Sequence, residues 1–169
     1  MKNIFVTTLL RFSLLTAVGA TGLLSTACKK DEESTPPQDY TAIDDAIITK
    51  YIADNSITTA QKQPSGLYYV PMVTNANAER AVAGKTVTVV STGRYVDGRV
   101  FDSSPLSGYQ FILGNGYVIK GWDEGIALMH KGDKATLLIP SALAYGSSGK
   151  SPIPPNTVLR FEVELKNIQ

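Results

Sequence analysis

Two stretches of the chain alternate at the spacing of a half-buried strand. KTVTVVSTGRYV, from Lys85, sets Val87, Val89 and Ser91 on one face, and TVLRFEVELKNI sets Val158, Arg160, Glu162 and Glu164 against Leu159, Phe161, Val163 and Leu165. Tyr109–Leu113 and Lys134–Pro140 give two more extended runs. GLYYVPMV reads as an edge strand, because Pro71 has no N–H to give a central ladder. Gly84 and the pair Asp97-Gly98 mark turns. Only one short helix, at about Lys120–Leu128, interrupts the strands after Gly84. Antiparallel runs with a single helix on one face predict an α+β fold, a bent antiparallel β-sheet wrapped around one short α-helix, with a pocket between the two.

Ahead of the strands the period changes. In YTAIDDAIITKYIADN, Ile43, Ile47, Ile48, Tyr51 and Ile52 form a helical stripe, Thr41 with Asp44 three residues on suits a capped start, and Asn55 suits an end. One helix of this length does not persist alone in water, so it must dock, and docking on its own domain is expected over dimerisation. The monomer is therefore the expected state. QKQPSG reads as a loop, and the predicted organisation is a helical extension over residues 40–63 and a main domain over 64–169.

The first 27 residues differ from the rest. Lys2 and Arg11 are their only charges, and the weakly apolar run FSLLTAVGATGLLSTA, roughly 16 residues, is short for a membrane span and laid out like a secretory signal. The run stops at Cys28, the sole cysteine, in LLSTAC, which resembles a bacterial lipobox with Leu24 one position earlier than usual and Ser25 in the customary leucine's place. A lipid on Cys28 and anchoring in the cell envelope, at the outer membrane, are expected. Loss of the signal removes Lys2 and Arg11 and leaves 14 basic and 15 acidic residues. CKKDEESTPPQ follows, charged and poor in apolar residues, so residues 28–39 read as a disordered tether.

Near-neutral charge without a basic stripe excludes a nucleic-acid footprint. One His and one Cys build no structural zinc site. No nucleophile–base pair stands in a familiar setting, and GKSPIPP lacks the glycine spacing of a phosphate loop. His130, in ALMHKGDK, reads as an exposed turn residue. Asp123 and Glu124 fall in the first turn of the predicted helix, where its dipole accounts for them. Asp102 ends a strand beside Phe101, where it could be no more than a turn acceptor. Tyr109, Phe111, Val118, Ile119, Trp122, Tyr145, Ile153 and Phe161 come from separate segments beside Gly, Pro or turn signals, and by periodicity alone could be core.

GRVFDSS, FILGNGYVIKGWDEGIALMHKGDKATLLIP, AYG and IPPNTVLRFEVEL follow one another in the order and spacing of the FKBP-type peptidyl-prolyl isomerases, over about Gly84–Ile168. SGLYYVPM resembles the lead-in strand of that family's extracytoplasmic members. The resemblance implies the same bent sheet around a short helix, and an isomerase that needs no cofactor. Trp122 would be the floor of a pocket for the proline ring, with Gly121 keeping the approach to the indole clear. Phe101, Tyr109, Val118 and Phe161 would be walls and Ile153 would lie along the rim. The Ile119 N–H and the Tyr145 hydroxyl would bind substrate carbonyls, and Asp102 would be oriented towards the imide. Proline-containing polypeptides would be substrates, and tacrolimus- or rapamycin-type macrolides inhibitors. The chain departs from the pattern at Ser91, where the family has a pocket tyrosine that buttresses the aspartate. Tyr109 stands in place of the common phenylalanine, and GSSGKSPIPP is one residue short. Ser91 keeps a second reading in play, a binding module that holds Pro-containing segments without turnover.

Overall fold

The computed structural model describes residues 38–169. The signal segment, Cys28 and residues 28–37 of the predicted tether lie outside them. In chain order the elements are α1 (Tyr40–Asp54), β1 (Gln61–Lys62), β2 (Tyr68–Val73), β3 (Thr86–Tyr95), β4 (Val100–Ser103), β5 (Tyr109–Ile112), α2 (Lys120–Ala127), β6 (Lys134–Ile139) and β7 (Leu159–Ile168), with short 3-10 turns at Ser141–Leu143 and Gly146–Ser148. The strands form one antiparallel sheet in the order β1-β2-β6-β7-β3-β4. β5 pairs with the first half of β3, from Thr86↔Ile112 to Val89↔Tyr109, and β4 pairs with the second half, from Thr92↔Ser103 to Arg94↔Val100. The long β3–β7 ladder, from Val87↔Ile168 to Tyr95↔Leu159, is the spine.

The alternation in the sequence translates into two covered faces. On the inner face Val87, Val89, Ala135, Leu137, Leu159, Phe161, Val163 and Leu165 pack with Trp122 and Ile126 of α2. α2 comes close because two of the positions that meet β6 are glycines. A Cβ at Gly121 would stand 2.5 Å from Ile139 Cγ2, and one at Gly125 would stand 2.7 Å from Leu137 Cδ1. This corrects the expectation for Gly121, whose absent side chain makes room for β6 and not for a ligand.

On the outer face Tyr68, Val70, Leu138 and Val158 are buried with Ile48 of α1, which lies at 0% exposure. Val158 keeps the face its parity gave it, shared with Arg160, but is buried there because a helix covers that part of the sheet. Half-buried Tyr51 and Ile52 pack beside Ile48, and polar side chains add further ties between α1 and its surroundings. Tyr68 Oη donates to Asp45 Oδ1 at 2.8 Å, Lys62 lies 2.6 Å from the same oxygen, and Arg160 Nη1 donates to Tyr51 Oη at 2.6 Å. The helix is capped two residues earlier than predicted, at Asp39. Asp39 accepts from Thr41 N at 3.0 Å, while Asp44 is 1% exposed and turned inward. Asn55 closes the other end, with its Nδ2 donating to Tyr51 O.

Candidate functional site

A cavity of about 740 Å³ opens between α2 with the loop ahead of it, strands β4 and β5, and the turn after β6. Its floor is Trp122, 5% exposed, which an edge-on Phe161 meets at 5.2 Å and Phe111 meets at 5.9 Å. These aromatic contacts fix the indole in place. The Trp122 Nε1 is buried without an acceptor among the described residues.

α2 begins at the cavity. Ile119 precedes it in extended conformation, its carbonyl accepting from Trp122 N at 2.9 Å and from Asp123 N at 3.2 Å. The N–H of Ile119 has no protein acceptor among the described residues. Asp123 also has a more specific task than answering the helix dipole. Its carboxylate accepts from Gly114 N at 2.9 Å and Gly116 N at 3.2 Å, which ties down the loop that carries Tyr117, Val118 and Ile119 to the cavity. Glu124 accepts from Ser65 Oγ instead.

Asp102, from β4, and Tyr109, from β5, meet at the other wall, where Tyr109 Oη donates to Asp102 Oδ1 at 3.2 Å. Partial burial, and then the charge of Asp102, raise the pKa of the Tyr145 phenol above the ordinary tyrosine value. Desolvation, the Asp102 charge and the hydrogen bond to it do the same for Tyr109. Both hydroxyls are therefore donors at neutral pH. Lys150 Nζ lies over the Tyr145 ring at 5.4 Å.

Of the residues the sequence singled out, Asp102, Tyr109, Val118, Ile119, Trp122, Tyr145 and Phe161 line this one cavity. Phe101 and Ile153 do not. Phe101 stands behind Phe161 at 5.4 Å, edge to face, and Ile153 is 7% exposed within the core. Ser91 is a correction. It lies opposite Val163 on the covered face of β3 at 3% exposure, its Oγ without a partner, and its short side chain does not reach the cavity wall. His130 is half-buried, away from the cavity, with its N–H donating to buried Asp133 at 2.7 Å.

The profile of the FKBP-type peptidyl-prolyl cis-trans isomerases matches residues 77–166. The chain belongs to this family. FK506-binding protein 4 of Dictyostelium discoideum is 41% identical over 124 residues, covering 73% of this chain but only 33% of that protein. Peptidyl-prolyl cis-trans isomerase Fkbp12 of Drosophila melanogaster is 40% identical over 107 residues, 62% of this chain and 99% of that one. Among solved structures, FkpA from Escherichia coli superposes with a TM-score of 0.66 at 32% identity, covering 76% of this chain and 61% of that chain. The seven-stranded antiparallel sheet around α2 is the FKBP-like architecture.

Within this FKBP-family cavity several lining residues carried no signal in the sequence. Ala142 and Ala144 are small residues in a turn without periodicity, and Lys120 and Lys150 read as ordinary surface lysines. Tyr117, 72% exposed at the mouth, does have a signal, an aromatic directly before the V-I-K-G-W run. No group of three or more His, Cys, Asp or Glu suited to a metal occurs among the described residues.

Proposed function

We propose that the chain accelerates cis–trans rotation about X–Pro bonds in polypeptides outside the cytoplasm, as a folding catalyst. Rotation faces a barrier of about 18–20 kcal/mol although the two isomers differ by only about 0.5–1 kcal/mol, so the task is purely kinetic. At the twisted transition state amide resonance is lost and the carbonyl is less polar. A cavity floored by Trp122 and walled by Phe161 and Val118 favours that state over the planar, more dipolar ones. The Ile119 N–H and Tyr145 O–H, neither with an acceptor among the described residues, would hold the flanking carbonyls and set the direction of twist. Asp102, held by Tyr109, would face the imide.

The observation that carries this reading is the convergence of an aromatic floor with unpartnered donors in one cavity. The binding-only reading rested on a poorly supported Asp102. Tyr109 supplies that support, which favours turnover. The test is isomerisation of a short X–Pro peptide by the full chain, beside Asp102→Ala and Trp122→Ala. Acceleration that weakens in both variants is expected, and a folded parent that gives none would sink the reading.

Tacrolimus- or rapamycin-type macrolides are the expected inhibitors, competing for the same floor. The name FK506-binding protein, carried by the Dictyostelium relative, supports this. We place the protein in the bacterial cell envelope, held at the outer membrane by a lipid on Cys28. The support is the run FSLLTAVGATGLLSTA ending at the sole cysteine. No helix among the described residues is long and apolar enough to cross a membrane. Mass spectrometry of the mature N-terminus checks the lipid, and Cys28→Ala should abolish it. The seating of Ile48 on its own sheet supports a monomer, which sedimentation tests.

A further inference from the structure

Asp44 lies in the second turn of α1, yet its partner is at the threshold of the cavity. Its Oδ2 accepts two hydrogen bonds from one residue, Ser141 N at 2.8 Å and Ser141 Oγ at 2.6 Å, across 97 positions of sequence. The other oxygen, Oδ1, is buried without a partner, so everything this carboxylate holds is held at Ser141. Both residues are buried, at 1% and 2% exposure.

Ser141 opens the 3-10 turn that follows β6, and Pro140 ahead of it offers no side-chain cap. Its N–H is among those that the start of a short helix leaves unpaired. A carboxylate from another element takes the cap's place, with negative charge at the positive end of the turn. From that turn the chain runs directly into the cavity wall, where Ala142, Ala144, Tyr145 and Gly146 line it. The far end of this segment is tied by Gly149 N donating to Tyr145 O at 3.1 Å and Asn156 N donating to Gly146 O at 2.8 Å. The near end is tied by Asp44. Ala142 also lines a smaller hollow of about 360 Å³ with Thr41, Asp45 and Lys62, so the segment lies between α1 and the cavity.

The geometry points to Asp44 as a positioning residue for the isomerase site, acting through Ser141 to set where Tyr145 stands. α1 is then part of the working site and not an appendage, an inference that rests on the isomerase reading above. Asp44→Ala in the full chain should lower kcat/KM on an X–Pro peptide about tenfold, because small displacements of a positioned group are costly to rate. Asp44→Asn, which keeps an acceptor oxygen in the same place, should restore activity to within about twofold of the parent. Ser141→Ala keeps the backbone bond and loses the hydroxyl one, so its loss should be smaller, about threefold. It serves as the test if Asp44→Ala does not fold.

The decisive comparison places Asp44→Ala in a Tyr145→Phe background. Residues acting through one another are non-additive, so the effect there should shrink to about twofold or less. Full additivity, or parent kinetics in a folded Asp44→Ala, overturns the proposal and leaves the isomerase reading intact. A parent inactive on the peptide sinks the isomerase reading instead. Asp44 is then judged by the affinity of an FK506-type macrolide, read from Trp122 emission, and unchanged affinity in Asp44→Ala overturns it.

Discussion

The two helices lie on opposite faces of the same sheet and are held there by different means. α2 is eight residues long and presses its backbone on β6 by presenting Gly121 and Gly125 where side chains would stand. α1 is fifteen residues long and places one fully buried aliphatic side chain, Ile48, on the sheet. Half-buried Tyr51 and Ile52 pack beside it, and the side-chain bonds of Asp44, Asp45 and Tyr51 add direction. Close backbone approach gives a rigid seat, which suits the helix that begins at the cavity and carries Trp122. Side-chain bonding is specific in direction and weaker in total, which suits an element that aligns a neighbour.

The contrast can be broken from either side. Gly121→Val puts a branched side chain against Ile139, and overpacking of this kind should lower stability by about 3 kcal/mol, read from the urea midpoint. Ile48→Ala empties the α1 seat and should cost about 2 kcal/mol, the low end for a buried aliphatic truncation, because a surface helix can settle into the space. Amide exchange should show that loss concentrated in Tyr40–Asp54, whereas the Gly121→Val loss should appear throughout the sheet. Equal patterns would erase the distinction between the helices.

Finer tests sharpen it. Tyr109→Phe removes the donor on Asp102 and should reduce kcat/KM about threefold to tenfold with little change in stability. Unchanged kinetics would mean that Asp102 needs no support from Tyr109. The smallest effect concerns pH. Hydrogen bonds from Lys62 and then Tyr68 hold the exposed Asp45 carboxyl below its usual value. A depressed carboxyl stabilises the fold above its unfolded pKa and loses that contribution as pH falls through the folded one. Acidification below the ordinary carboxylate range should therefore loosen α1 by no more than about 1 kcal/mol, as for an exposed pair. Asp45→Asn should abolish that dependence. On the alkaline side both cavity tyrosines have raised values, so kcat/KM should hold level up to about pH 10, the ordinary tyrosine value.

Alternation was legible wherever one face of a strand is covered and the other is wet. β3 could be read from Val87 and Val89, and β7 from Leu159, Phe161, Val163 and Leu165. At Val158 it assigned the right face but not the burial, because a second helix covers the outer face there and a period of two cannot announce it. Seven cavity residues were readable from motifs, which record a shared arrangement of short segments. Pairs that fold alone brings together left no trace in any local pattern. Asp44 looked like half of a capping box and is bonded to Ser141 instead. Tyr109 looked like a wall residue in the place of a phenylalanine, and its hydroxyl donates to Asp102. Gly121 was readable as necessary, but the reason, Ile139, lies on another element.

The free border of the sheet has its own consequence. β1 covers only Tyr68 and Tyr69 of β2, so the stretch from Val70 to Val73 pairs with β6 alone. That stretch carries Pro71, an irregular register between Pro71 and Val73, and two exposed apolar residues, Met72 and Val73. Any unfolded, extended chain that met this border could add itself to an open strand. Proline withholds a donor and the irregular register spoils the repeat, so a passing chain finds no template to extend. The border is protected from aggregation by its geometry, while its apolar side chains remain in water.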